Sequence, residues 1–277
     1  MRRTLFCNGL LWSGLLCLSL SAASAAGQSA TGVKPSRSEK LLGTWKQLPP
    51  EQSITLKIEA EEGGIKVSYG CKEDGSCASN IFTNYDGKPS KYSDNGSWEA
   101  SFRKVGDGTI QQDSYFHGKL DITEKWQASA DRNTLTVTNQ AVRRPGSKSM
   151  RYVYDRSGGP VSKDDPLVGF WKRNWDKSDA SVIKYAAKGD VFSITTTDGT
   201  TDERQCDGKD HPNRFLAGLL YSCGFPDERT YELVMKDQGK LVTTTTSKIS
   251  EDGKKMARTV KNGEGKITSE LKYEKVD

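Results

Sequence analysis

The sequence predicts an all-β protein built as two tandem antiparallel up-and-down β-barrels. Three observations carry that reading. Apolar residues recur at every second position, turn residues recur every 8–14 residues, and the second half of the chain repeats the first.

Sliding the chain along itself aligns NYDGKP (Asn84–Pro89) with QCDGKD (Gln205–Asp210) at an offset of 121. At the same offset FHGKLDIT (Phe116–Thr123) meets DQGKLVTT (Asp237–Thr244), and SADRN (Ser129–Asn133) meets SEDGK (Ser250–Lys254). The opening motifs LLGTWK (Leu41–Lys46) and LVGFWK (Leu167–Lys172) lie 126 apart, and the closing Tyr154 and Tyr273 lie 119 apart. Loop insertions produce such small differences, and self-similarity at a fixed offset marks duplicated units. The expected organisation is one barrel over 38–156, a linker over 157–164 and a second barrel over 165–277. Gly, Pro, Ser and charge in RSGGPVSKDDP (Arg156–Pro166) read as that connection.

Inside each copy the period is two, the alternation of a half-buried strand. Ile54, Leu56 and Ile58 share one face; Ile65, Val67 and Tyr69 repeat the pattern after EEGG. Trp98, Ala100 and Phe102 do so again, as do Leu120, Ile122 and Trp126, and Tyr231, Leu233 and Met235 in the second copy. No long helical stripe is present. A meander of about eight or nine short strands removes its two edges by closing on itself. At roughly 110 residues per copy a small barrel fits best, with a two-sheet sandwich as the alternative.

Arg2 and Arg3, the apolar run Leu10–Leu20 and the small residues SAASAAG read as a signal peptide over 1–26, followed by a flexible segment over 27–37. The run is shorter than the roughly 20 apolar residues of a spanning helix, so no transmembrane segment is expected in the mature chain. Cys17 lacks the small residue directly before it that a lipid-anchored cysteine needs. A secreted or periplasmic location follows. The formal charge of +5 falls to +3 without Arg2 and Arg3, and no Lys/Arg run exceeds two residues. That mixed, solvated surface leaves no nucleic-acid footprint. Of six cysteines, Cys71, Cys77, Cys206 and Cys223 remain after cleavage. An even count in an exported chain favours disulfides over metal thiolates.

Four short motifs recur in both copies. They are GTWK (Gly43–Lys46) and GFWK (Gly169–Lys172), the central Asp-Gly-Lys (Asp86–Lys88, Asp207–Lys209), the SADRN and SEDGK turns, and the endings YDR (Tyr154–Arg156) and YEK (Tyr273–Lys275). With them each repeat resembles the lipocalin-like domain of exported bacterial proteins, a calycin-type barrel. The resemblance implies a closed barrel with an interior cavity that binds a small hydrophobic molecule non-covalently. It also implies that Gly43 and Gly169 permit a close approach and that Trp45 and Trp171 plug the closed end. A basic side chain of the last strand would then lie over each indole, a role for which Arg156 and Lys275 align with each other.

No catalytic or metal constellation is expected. His117 aligns with Gln238 and His211 with Ser90, so neither copy keeps the other's histidine, and both read as exposed turn residues. Zinc-type His-x-x-His or Cys-x-x-Cys spacing, the Gly-x-Ser-x-Gly elbow and the phosphate loop are all missing. Asp86 and Asp207 recur, but in Asp-Gly-Lys turns, where Asp accepts backbone hydrogen bonds and Gly takes positive φ. The expectation is a non-enzymatic protein without cofactor or metal.

Binding residues are therefore sought where the copies differ. The candidates are Tyr69, Trp98, Phe102, Glu124 and Trp126. Glu124 is in phase with Ile122 and Trp126, which aims it at the interior, where burial raises a carboxyl pKa; its aligned residue is Thr245. The run TTTTS (Thr243–Ser247) suits either a wet outer face or the lining of a more polar cavity. Cys71 and Cys77 flank KEDGS, as in a disulfide that pins a hairpin loop. Cys206 and Cys223 align with Tyr85 and Phe102. A bond between them needs Cα atoms within about 7 Å, and would make Tyr85 and Phe102 neighbours in the first barrel. The expected function is binding of a small hydrophobic or amphiphilic ligand by an exported two-domain protein. The alternative is a protein-interaction module with filled barrels, such as an inhibitor of an exported protease.

Overall fold

The computed structural model describes residues 39–50, 55–71, 77, 79–91, 97–162, 164–189 and 191–277. The expected signal peptide, the segment 27–37, Ile54 and the KEDGS loop lie outside them. Among the described residues strand dominates, and helix is confined to a 3-10 turn at Glu39–Leu41. No helix among them is long and apolar enough to cross a membrane.

The strands of the first repeat are β1 (Gly43–Gln47), β2 (Thr55–Glu61), β3 (Gly64–Tyr69), β4 (Ser79–Asn84), β5 (Ser90–Lys91), β6 (Trp98–Gly106), β7 (Thr109–Phe116), β8 (Lys119–Ala128), β9 (Thr134–Ala141) and β10 (Met150–Gly158). Those of the second are β11 (Gly169–Asn174), β12 (Val182–Lys188), β13 (Val191–Thr196), β14 (Thr201–Gln205), β15 (His211–Pro212), β16 (Leu219–Asp227), β17 (Thr230–Asp237), β18 (Lys240–Ile249), β19 (Lys255–Asn262) and β20 (Ile267–Lys275). They form two ten-stranded antiparallel sheets, one curled into a nearly closed barrel and the other into a half-barrel.

The repeats and the sheets do not coincide. Sheet I runs β4-β3-β2-β11-β10-β9-β8-β7-β6-β5, and sheet II runs β14-β13-β12-β1-β20-β19-β18-β17-β16-β15. Each repeat has given its opening strand to the other sheet. In sheet I, β11 lies between β10 and β2, pairing Trp171 with Arg156 and with Leu56. In sheet II, β1 lies between β20 and β12, pairing Trp45 with Lys275 and with Ile183. The compact units follow this exchange, with Pro49–Ser181 in one and Val182–Thr196 and Thr201–Asp277 in the other, joined there by the segment that contains β1. The segment expected to link two domains therefore connects adjacent strands β10 and β11 of one sheet. Local closure accounts for this, since successive strands joined by a short connection pair most readily. The two opening strands share the Gly-x-Trp-Lys pattern, so either fits either sheet.

Turn chemistry fixes the meander. His117–Gly118 (φ 48 and 69) and Gln238–Gly239 (φ 49 and 79) both have positive φ at the two central positions, as a type I′ hairpin demands. His117 is thus an exposed turn residue, as expected. His211 is not: it sits in β15, bonded through Nε2 to Asp207 at 2.8 Å and packed 5.5 Å from the Tyr221 ring. Asp86 and Asp207 each accept a hydrogen bond from the backbone N–H two residues on, at 2.9 and 3.0 Å. Both expected disulfides, Cys71–Cys77 and Cys206–Cys223, are formed.

Candidate functional site

In each sheet the tryptophan of a Gly-x-Trp-Lys motif is fully buried under a basic side chain. In sheet I the Trp171 indole is fully buried, and its Nε1 donates to the Leu167 carbonyl at 2.8 Å. The Arg156 guanidinium lies 4.2 Å from the ring centroid and donates to the carbonyls of Val168 (2.8 Å) and Pro166 (3.0 Å). Sheet II repeats the arrangement with Trp45 bonded to the Leu41 carbonyl at 2.8 Å and Lys275 Nζ 5.5 Å over the ring. Gly169 (φ 148) and Gly43 (φ 118) make room: a Cβ at Gly169 would collide with the Arg156 guanidinium, and one at Gly43 would meet Lys275 Cε at 2.7 Å. The cation and the indole come from different repeats, Arg156 covering Trp171 and Lys275 covering Trp45.

The five residues expected to bind ligand are all buried in sheet I. Tyr69, Phe102 and Trp126 belong to one core cluster with Leu56, Ile58, Leu135, Tyr152, Tyr154 and Trp171. Trp98 packs apart from it, 4.9 Å from the Phe116 ring. Glu124, 4 % exposed, accepts hydrogen bonds from Trp126 Nε1 (3.1 Å) and Asn139 Nδ2 (2.7 Å). Among the described residues no cation pairs with it. Burial therefore lifts its carboxyl above the ordinary 4.5, against the pull of those two bonds.

Alternation along β8 holds from Ile122 to Trp126 and fails before it. The β7–β8 register shifts, pairing Ser114 with Ile122 but Tyr115 with Leu120. Asp121 is the extra residue of this bulge. It is fully buried with neither carboxylate oxygen hydrogen-bonded, while Leu120 falls out of phase. Burial raises the Asp121 pKa, and Arg144 and Arg143 pull it down.

Two polar side chains around this core, Gln112 and Arg173, are not among the residues expected from the sequence. Gln112, opposite Glu124 in the β7–β8 ladder, gives its Nε2 to Ser114 Oγ at 3.3 Å, but its Oε1 is buried without a donor. Arg173 follows Trp171 by two positions on β11 and is 4 % exposed. Its Nε and Nη2 are buried without an acceptor, and its guanidinium carbon lies 4.5 Å from the Tyr152 ring and 4.1 Å from the Trp175 ring. Burial pulls the Arg173 pKa down and pushes that of Tyr152 up to about 12. At the position equivalent to Arg173, sheet II carries Gln47, also 4 % exposed with its Oε1 unpartnered. The signal was the alternation of GFWKR itself, which puts Arg173 in phase with Trp171.

Sheet II differs at matching places. The cross-strand pair Trp126–Val137 of sheet I becomes Ser247–Arg258, and Glu124–Asn139 becomes Thr245–Val260. The hydroxyl run therefore does turn inward at Thr245 and Ser247, and Ser247 Oγ has no hydrogen-bond partner. The rings of Phe192 and Tyr231 each pack within 5.1–6.1 Å of each other, of Tyr185 and of Phe225. Arg204 beside them is satisfied by Asp202 (2.8 Å) and the Tyr231 hydroxyl (3.0 Å).

A cleft of about 150 Å³ between Lys104–Ile110 and Asp164–Leu167 is lined by none of the expected binding residues. No group of three or more His, Cys, Asp or Glu among the described residues could hold a metal ion. Comparison with protein-family models and with curated proteins gives no match.

Proposed function

We propose that the protein is an exported, non-catalytic binder of a small amphiphilic molecule, held on the inner face of sheet I. The observation that carries this reading is Gln112 Oε1, a buried acceptor without a donor in a wall otherwise made of Tyr69, Phe102, Trp126 and their neighbours. A buried polar atom left unpaired costs about 1–3 kcal/mol, and apolar walls with a few convergent polar groups are the usual make-up of ligand sites. Two disulfides and the signal-like first 26 residues support export to an oxidising compartment.

Nile red fluorescence with the full chain, displaced by 1-decanol, tests the proposal. Displacement is expected, and it weakens in Gln112→Leu, which installs the residue that sheet II uses at the same place, Leu233. An unchanged dye spectrum together with no heat of decanol binding would refute it. A second reading, a protein-interaction module, is favoured by Phe82, 61 % exposed on the outer strand β4. That reading expects no amphiphile binding, and slowing of an exported protease that Phe82→Ser abolishes.

A further inference from the structure

Arg173 brings to sheet I a charge that the Asp179 carboxylate reaches only through space. Glu124 is bound by Trp126 and Asn139 instead, and no carboxylate among the described residues is ion-paired with the guanidinium. The Tyr152 and Trp175 rings lie close enough for cation–π contact. The unpartnered atoms, Nε and Nη2, form a single edge of the planar group. That edge presents two parallel N–H donors with the spacing of a carboxylate's two oxygens. A buried, unsatisfied fork of this kind is an unfinished hydrogen-bond pair.

We propose that Arg173 is the head-group site of sheet I and selects an amphiphile that carries a carboxylate, which docks side-on against Nε and Nη2. The proposal rests on the amphiphile-binding reading above and adds the chemistry of the head group. Both nitrogens are buried, and the Trp175 ring packs over the guanidinium 4.1 Å away. Trp175 is half-buried in the connection between β11 and β12, outside either strand. Among the described residues one such site is expected, because sheet II has Gln47 at the equivalent position, its Arg204 is already paired, and its Arg258 is engaged by Tyr185, Tyr273 and Tyr231. The strand exchange decides this placement: with β1 in its own repeat's sheet, Gln47 would stand where Arg173 stands.

Calorimetric titration of the full chain with decanoate, 1-decanol and decyltrimethylammonium tests it. Decanoate is expected to bind with one-to-one stoichiometry about tenfold or more tighter than decanol, the increment of a charge-assisted hydrogen-bond pair. Decyltrimethylammonium is expected not to bind. Arg173→Gln should bring decanoate to the decanol level and so abolish the carboxylate preference. Its fold is supported in advance, since glutamine already occupies this position in sheet II. Arg173→Lys, which keeps the charge and loses the fork, should retain a part of the preference. Equal affinity for decanoate and decanol in the parent chain overturns the head-group assignment alone. A carboxylate preference that survives Arg173→Gln overturns the assignment to Arg173. Binding of none of the three overturns both this inference and the reading beneath it.

Discussion

Glu124 shows how a single side chain couples burial to pH. Its carboxyl is lifted above 4.5 by desolvation, so the folded chain holds a proton that the unfolded chain releases first. Below 4.5 both states are protonated and this contribution to stability is fully present. It is lost as pH rises through the folded value, at up to about 1.4 kcal/mol per pH unit within that window. Glu124→Gln removes the ionisation and keeps the size. Thermal melts between about pH 4 and pH 8 should show the variant gaining on the parent chain as pH rises. A gap that stays constant with pH would mean that Glu124 does not titrate in this window. The position of Glu124 was legible from its phase with Trp126. Arg173 was equally in phase with Trp171, but a Lys-Arg pair beside a tryptophan reads as a solvated face until its surroundings are known.

At the scale of the element, the sheets meet the edge problem by different means. Cys206, just past β14, is bonded to Cys223 of β16 with Cα atoms 4.5 Å apart, so a covalent bond joins the two margins of sheet II. In sheet I the same junction is made by the Asp86–Arg103 bridge and the Gly87 N–H to Phe102 carbonyl bond of 2.9 Å, mirrored in sheet II by Gly208 to Cys223 at 3.0 Å. Tyr85 packs on the core cluster that contains Phe102, and its hydroxyl donates to Asp165 at 2.8 Å. Closing a loop of this size by a disulfide contributes about 3 kcal/mol. Cys206→Ser/Cys223→Ser is expected to lose about that much in denaturant unfolding, and reduction of the parent chain should cost at least as much, because it also opens Cys71–Cys77. An unchanged midpoint would mean that backbone pairing alone holds the margin. Strands and turns were readable from alternation and from Gly, Asp and Asn spacing. The β8 bulge was not, because an inserted residue leaves no mark in composition, and Asp121 became visible only through its pairing.

Across the whole molecule the exchange of β1 and β11 makes each sheet a product of both repeats. A protease site placed between Gly159 and Val161 cuts the β10–β11 connection and leaves each fragment holding a strand of the other's sheet. The cut halves are expected to co-elute in gel filtration under native conditions and to part only in denaturant. Separation into two folded monomers in native buffer would contradict the exchange. The sequence by itself determined the all-β class, the duplication, the strand phases away from the β8 bulge and the disulfide-forming cysteines, because each rests on local periodicity or on spacing that survives in one dimension. Only the tertiary structure decided which sheet receives each opening strand, and with it whether Arg173 or Gln47 faces the core of sheet I. GTWKQ and GFWKR carry nearly the same pattern, so local propensity cannot separate them. The choice falls to chain connectivity, through the short connection that brings β11 against β10.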